Sequence, residues 1–250
     1  MTQKYFFDQP LQEALILKHN SQFTMDVLLN GETVRCHCPA TTRIGDVDLK
    51  NIACLVSFHD DPKRKLKYDV EAVSFDNPDD PEKNWIGINL ILPNRLVEFL
   101  LRTHQLDEMV SGYDEIHREV PLGQSKLDFL VGNTYLEVKT PLTTINVKYG
   151  SSIKTKKVTP FSSTGRFQKH IMELAGSLKE HERAILLTVN QYVPTEMKPH
   201  LKSTHYDDVK ADMEKAVSAG IEVWNVDMKF EPDGVTLVGL KETTNEALNY

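Results

Sequence analysis

The sequence predicts an α/β protein of two domains, in which a small β-barrel or sandwich precedes a mixed α/β domain. About five short stretches of alternating apolar and polar residues, separated by glycine and asparagine turns, occupy the first third of the chain. From Pro93 onward, helical and strand patterns alternate, which is typical of a sheet covered by helices. We therefore assign residues 1–88 to the first domain and residues 89–250 to the second.

In the first domain, the pair Asn30-Gly31 suits a two-residue type I′ turn, because both residues tolerate a positive φ. Cys36 and Cys38 flank His37, but a structural zinc site needs four ligands and a wider cysteine spacing, so we interpret both cysteines as buried core residues. Strands are predicted over residues 15–18, 23–29, 33–38, 52–58, 68–75 and 85–90.

In the second domain, Pro93 can begin a helix whose apolar stripe contains Leu96, Val97, Leu100 and Leu101. Two strands are predicted within residues 126–139, followed by a polar, basic stretch and a helix from about Arg166. A buried strand over residues 184–190 precedes a helix over residues 206–219, with Gly220 just past its end. Further strands are predicted over residues 221–226 and 235–240.

The composition limits the classes of protein to consider. The 250 residues carry a net charge of −7 and three cysteines. A chain of this length buries roughly 70–75% of its unfolded surface, so it folds without disulfides. No apolar run is long enough to span a membrane, and the first ten residues lack the apolar core of a secretory signal. The odd number of cysteines indicates a reducing compartment, so we expect a cytoplasmic protein without a membrane partner. The oligomeric state is not predicted.

The most informative segment runs from Lys126 to Lys139. Gly132-Asn133 is a hairpin turn signal that places Val131 opposite Thr134 and, counting outward, Asp128 opposite Glu137. Alternation predicts one polar face and one apolar face, the latter formed by Leu127, Phe129, Val131, Leu136 and Val138.

Opposed carboxylates destabilise a sheet unless a cation lies between them. Oxygen ligands favour Mg²⁺ or Mn²⁺, so Asp128 and Glu137 are candidate metal ligands, and Lys139 on the same face is a candidate catalytic lysine that assists a water. An Asp followed nine positions later by Glu-x-Lys is also the pattern of the PD-(D/E)XK nuclease-like superfamily. The alternative is a solvent-facing hairpin in which Lys126 and Lys139 neutralise the acids.

Positive charge is concentrated locally despite the acidic balance. No Asp or Glu occurs from Val138 to Met172, and a second basic cluster lies between two predicted strands. Such clusters attract phosphate, although solvated loops look the same in sequence. We expect His170 on the polar side of its helix. The candidate nucleic-acid-binding residues are Lys63, Arg64, Lys65, Lys67, Lys154, Lys156, Lys157, Arg166, Lys169 and His170.

The chain resembles the sugar fermentation stimulation protein A family of bacteria and archaea over nearly its whole length. The resemblance rests on ordered blocks: His37-Cys38-Pro39, Asp61–Tyr68, Leu92–Glu98, Gly112–Asp114, Arg118–Val120, Asp128–Leu130, Glu137–Lys139 and Gln168–His170. It implies an OB-like barrel, a restriction-endonuclease-like domain, DNA binding and a link to maltose utilisation. The expected partner is DNA, with RNA as the alternative. By matched position it implies Asp128, Glu137 and Lys139 as site residues and Glu119 as an auxiliary acid.

These observations leave two main hypotheses open, beside a third interpretation as a sugar or small-molecule sensor that no residue supports directly. The first is a DNA-binding protein whose Mg²⁺ or Mn²⁺ site hydrolyses phosphodiesters. The second is a non-catalytic DNA-binding regulator that retains a relic of the site. The second gains weight from departures from the family pattern, because Phe167 replaces a glycine and Ser162-Ser163 stand where an acid is expected.

Overall fold

The computed structural model describes residues 2–160, 164–199 and 202–248. Within them lie thirteen strands and three α-helices. The first half contains β1 (Lys4–Phe6), β2 (Gln12–Ser21), β3 (Thr24–Leu29), β4 (Glu32–His37), β5 (Ala53–Phe58), β6 (Tyr68–Ser74), β7 (Trp85–Gly87) and α1 (Leu92–Arg102). The second half contains β8 (Ile116–Leu122), β9 (Ser125–Val131), β10 (Thr134–Lys139), α2 (Gly165–Ser177), β11 (Arg183–Asn190), α3 (Tyr206–Ser218), β12 (Glu222–Glu231) and β13 (Gly234–Glu242).

Strands β2 to β6 form a closed barrel. Antiparallel pairing joins β4, β3, β2, β5 and β6 in that order, and a parallel contact between His37 and Asp69 closes the ring. Asn30 and Gly31 both have positive φ values, of 51° and 85°, which confirms the predicted turn between β3 and β4. The three cysteines, Cys36, Cys38 and Cys54, are free and buried inside the barrel, as expected.

The segment after β10 returns to the barrel. Leu142, Ile145 and Val147 are buried in the same apolar cluster as the barrel interior. Val47 and Thr155 pair as an isolated bridge, and the Lys156 amide donates to the Asp46 carbonyl. The basic stretch that the sequence presents as a polar loop therefore covers one side of the barrel.

The second half of the chain builds a mixed sheet. Its order is β13-β12-β11-β10-β9-β8, in which β10, β11 and β12 are parallel and the other pairs are antiparallel. The N-terminal strand β1 adds to this sheet by antiparallel pairing with β13. Helix α1 packs in an apolar cluster between this sheet and the outer wall of the barrel, whereas α2 and α3 pack over a second cluster. A single pair, Phe230 with Trp85, joins the sheet to β7 and so to the barrel.

Three features differ from the sequence expectations. Strands β1 and β8 were not predicted, because β1 is very short and β8 is an edge strand with mostly exposed polar residues and Pro121. Leu127 was expected beside Phe129, but it packs with Tyr135 in the cluster under α2. The alternation of β9 therefore breaks between Leu127 and Phe129, at Asp128.

Among the described residues, none of the helices has the length and apolar character required to cross a membrane.

Candidate metal centre

The β9–β10 hairpin begins as the sequence predicts and then diverges. Val131 pairs with Thr134, Leu130 with Tyr135 and Phe129 with Leu136, as expected from the Gly132-Asn133 turn. The next predicted pair, Asp128 with Glu137, is not part of the ladder between these two strands. The Asp128 carboxylate instead reaches across the gap, where its Oδ2 accepts a hydrogen bond from the Val138 amide at 2.8 Å.

Asp128 is held by two elements. Its second oxygen, Oδ1, accepts from the side-chain amide of Asn94 at 2.7 Å, and Asn94 lies in the first turn of α1. Helix α1 takes this position because its leucines are buried in the cluster between the sheet and the barrel. The carboxylate is therefore oriented by one backbone donor and one side-chain donor, which leaves it little freedom to rotate.

Glu137 is almost completely buried, with 2% of its surface exposed. Its Oε1 accepts from His170 Nδ1 at 2.5 Å and from the Lys139 ammonium. Its Oε2 is buried and has no hydrogen-bond partner. A buried carboxylate oxygen without a partner loses its hydration and receives no protein donor in return, so it is costly unless a cation completes the site.

The position of His170 corrects the sequence expectation. The residue was placed on the polar side of its helix, but it is buried and points to Glu137. Its spacing from the buried Leu174 and Ser177 follows the inner stripe of α2, and this signal was available in the sequence. His170 thus acts first as a partner that orients a candidate metal ligand.

Burial raises the pKa of Asp128, and the nearby Glu137 carboxylate raises it further. The Val138 amide, the Asn94 side chain and the Lys139 charge oppose this effect without cancelling it. The folded protein therefore disfavours two ionised carboxylates here, which is the electrostatic condition that a divalent cation relieves.

We expect Asp128→Asn to raise the melting temperature in EDTA at pH 7. Because the folded-state pKa of Asp128 is raised, its ionisation costs stability above the ordinary value of 3.8, and that cost is absent below it. The difference in melting temperature between the variant and wild type should therefore shrink as the pH falls towards 3.8. Calorimetric melts between pH 4 and pH 7.5 measure it, and an unchanged or lower melting temperature for the variant at pH 7 would contradict the electrostatic interpretation.

Glu119, the proposed auxiliary acid, lies on β8 opposite Asp128. The flanking residues pair, Arg118 with Phe129 and Val120 with Leu127, but Glu119 has a φ of 51° and interrupts the ladder. Its side chain is exposed, and no described contact joins it to the acid pair. Its role as an auxiliary acid stays a prediction.

The basic residues fall into two groups. Arg64 and Lys67 are partly buried and donate hydrogen bonds to other groups of the protein, Arg64 to Asp69 and Lys67 to the Asp61 carbonyl. The remainder are exposed and available to solvent ligands: Lys63, Lys65, Lys154, Lys156, Lys157, Arg166 and Lys169. Lys169 also donates to the Gln124 carbonyl at 3.3 Å. Ser162 and Ser163 lie outside the described residues.

The residues present suit a divalent cation. Two carboxylates from adjacent strands supply hard oxygen donors, which Mg²⁺ and Mn²⁺ prefer. The unpartnered Oε2 of Glu137 offers one ligand position, and the hydrogen bonds to Asp128 and to Glu137 Oε1 are the outer contacts that orient ligating groups.

A closed five-stranded barrel followed by a helix, a three-stranded antiparallel unit and two helix–strand units defines a class of protein: an OB domain joined to a restriction-endonuclease-like domain. Two family models match this division. One, described as the SfsA N-terminal OB domain, matches residues 17–88, and the other, described as the sugar fermentation stimulation protein RE domain, matches residues 91–234. The chain belongs to the sugar fermentation stimulation protein family.

Similar proteins agree with this assignment. A sugar fermentation stimulation protein homolog of Synechococcus sp. (strain JA-2-3B'a(2-13)) is 32% identical over 243 residues, covering 94% of each chain. The homolog of Synechococcus elongatus is 32% identical over 246 residues, covering 96% of this chain and 98% of its own. A solved structure of Pyrococcus furiosus SfsA in complex with Ca²⁺ has a TM-score of 0.73 at 20% identity, covering 95% of this chain and 97% of its own. At that identity the likeness establishes the fold.

Proposed function

We propose that this protein binds DNA and hydrolyses phosphodiester bonds at a divalent-metal site held by Asp128 and Glu137. The single observation that carries the proposal is the buried, unpartnered Oε2 of Glu137 beside the electrostatically disfavoured Asp128 carboxylate. Neither feature benefits the metal-free protein, and both are explained by a cation.

Each side chain has a separate task in this proposal. Asp128, fixed by Asn94 and the Val138 amide, and Glu137, fixed by His170, hold Mg²⁺ or Mn²⁺. When bound, the metal supplies a Lewis acid that polarises the phosphodiester and stabilises developing charge. Lys139 is the charged donor beside Glu137, and its ammonium orients the attacking water and stabilises the negative charge that develops on the phosphate.

Two further observations support a nucleic-acid substrate and a metal. The exposed lysines of the acid-free stretch lie on the segment that covers the barrel, and OB barrels commonly bind nucleic acid strands. The Pyrococcus furiosus relative was solved in complex with Ca²⁺, an ion that takes oxygen ligands as Mg²⁺ does. The names of the relatives suggest a role in sugar utilisation, which we include in the proposal as the physiological context.

A gel assay tests the proposal directly. Purified wild type and Asp128→Asn are incubated with single- and double-stranded DNA and RNA in EDTA, Mg²⁺ or Mn²⁺. We expect wild type to cut DNA only with metal, and the variant to shift DNA without cutting it. A shifted but uncut band that is the same in EDTA and in either metal would overturn the hydrolytic proposal and favour a non-catalytic DNA-binding regulator.

A further inference from the structure

A second group of side chains of metal-ligating type lies on the outer face of the barrel and contains none of the hairpin residues. His59 Nε2 and one carboxylate oxygen each from Asp69 and Glu71 lie within 4.8 Å of one another. Asp69 and Glu71 are 8% and 7% exposed, so both carboxylates are largely removed from water. Together with Arg64, His59 and Glu71 form part of the wall of a cavity of about 490 Å³ between the barrel, the N-terminal strand and the first turn of α1.

Strand alternation and cross-strand pairing bring these side chains to one face. Leu55 pairs with Ala72, but the next pair joins Val56 to Val70, so Glu71 is left over as the extra residue of β6. Asp69 and Glu71 are two positions apart on β6 and share its outer face, whereas Val70 between them is buried inside the barrel. Because Glu71 is the extra residue, Ala72 follows it on the outer face. Ser57 pairs with Asp69, and the His59 amide continues the ladder by donating to the Lys67 carbonyl at 2.8 Å. All three donors therefore come from two paired strands of a closed barrel.

The distances suit a first-row transition metal. His59 Nε2 lies 3.1 Å from Asp69 Oδ2. Two donors that are 3.1 Å apart and each about 2.1 Å from an ion subtend an angle of about 95° at it, which is within the range of mixed nitrogen and oxygen sites. An imidazole with two carboxylates favours Zn²⁺ and similar ions over Mg²⁺, which prefers oxygen alone.

The surrounding groups hold the carboxylates in place. The second oxygen of Asp69 accepts from Arg64 at 2.5 Å and contacts His37 Nδ1 at 3.2 Å. The Glu71 oxygens accept from the Ser57 hydroxyl and the Asn89 amide, each at 2.7 Å. These contacts are the kind of outer shell that orients metal ligands. Asp69 has the Arg64 guanidinium as a cationic partner, whereas the described hydrogen bonds to the Glu71 carboxylate come from the neutral donors Ser57 and Asn89. A buried carboxylate without a paired cation is a group that a metal ion stabilises.

We propose that His59, Asp69 and Glu71 form a second metal site, selective for a divalent transition metal and separate from the hairpin site. The ion would tie β5 to β6 at the wall of the cavity between the barrel and α1. It would also offer an open coordination position to a small anion or a phosphate that enters the cavity. This proposal does not depend on the proposed nuclease function.

The test uses a protein that lacks the hairpin site, so that the result for the second metal site does not depend on the proposed nuclease site. The full chain carrying Asp128→Asn and Glu137→Gln is stripped with a chelator and titrated with Zn²⁺ by calorimetry, and Co²⁺ absorption serves as a second readout. We expect one tightly bound ion per chain. Adding Glu71→Gln should lower the affinity by at least about 100-fold, since loss of an outer contact alone costs about 10–100-fold.

Asp60→Asn is the matched control, because Asp60 lines the same cavity but is not in the ligand group. It should leave the Zn²⁺ affinity unchanged. Melting curves check that each variant is folded. If Glu71→Gln does not fold, His59→Gln replaces it, because His59 is partly exposed. Failure of the double variant to bind Zn²⁺, or equal affinity with and without the added ligand substitution, would overturn the proposal.

Discussion

Glu137→Gln should lower metal-dependent cleavage by about 10³-fold or more, since a catalytic metal contributes several kcal/mol to the transition state and each 1.36 kcal/mol is a factor of ten. The substitution preserves the shape of the side chain but replaces one carboxylate oxygen by an NH₂ group. That oxygen is either the proposed metal ligand or the oxygen that accepts from His170 and Lys139. Single-turnover cleavage and calorimetric titration with Mn²⁺ measure the two effects. Both rate and Mn²⁺ affinity should fall together.

Lys139→Met distinguishes the proposed role of the lysine in cleavage from the role of Glu137 in metal binding. The lysine contacts Glu137 but is not a metal ligand in the proposal, so Mn²⁺ binding should persist while cleavage is lost. Glu115→Gln is the control for charge, because the side chain of this glutamate is exposed and pairs with His117. Retention of full cleavage by Glu137→Gln, or loss of cleavage by Glu115→Gln, would show that the acid pair is not the site.

DNA affinity should fall by about 10³-fold or more between 50 and 200 mM salt if six or more of the exposed basic residues contact phosphates. Replacing Lys154, Lys156 and Lys157 by alanine should reduce the slope of log affinity against log salt by about 3, because each phosphate contact contributes about 0.9 on duplex DNA. Fluorescence anisotropy in EDTA measures binding without cleavage.

A second triple variant with the same change in net charge tests whether the position of the lysines matters for DNA binding. Lys50, Lys179 and Lys215 are exposed lysines outside the two basic clusters, so their replacement by alanine changes the net charge equally. Their loss should leave the salt slope nearly unchanged. An equal reduction by both triple variants would indicate binding through overall charge, and a flat salt dependence in wild type would exclude phosphate contact by the basic stretch.

The hairpin shows how far local pattern predicts structure and where it fails. Three cross-strand pairs next to the Gly132 turn form as expected, because a short turn with a defined conformation sets the register of its neighbours. The fourth expected pair does not form, because Asp128 and Glu137 are like charges and the neighbouring strand is interrupted at Glu119. Like charges opposite each other disfavour pairing, so the hairpin opens at the acids.

Sequence alone determined which residues form the barrel and which hairpin carries Asp128, Glu137 and Lys139, because turns and strand alternation act over a few residues. The tertiary structure decided what each acid contacts. Asn94 and His170 reach the acids from more than thirty positions away in the chain. It also decided the grouping of His59 with Asp69 and Glu71. Alternation alone places the two acids on one face of β6, but only the pairing of Ser57 with Asp69 brings His59 next to them.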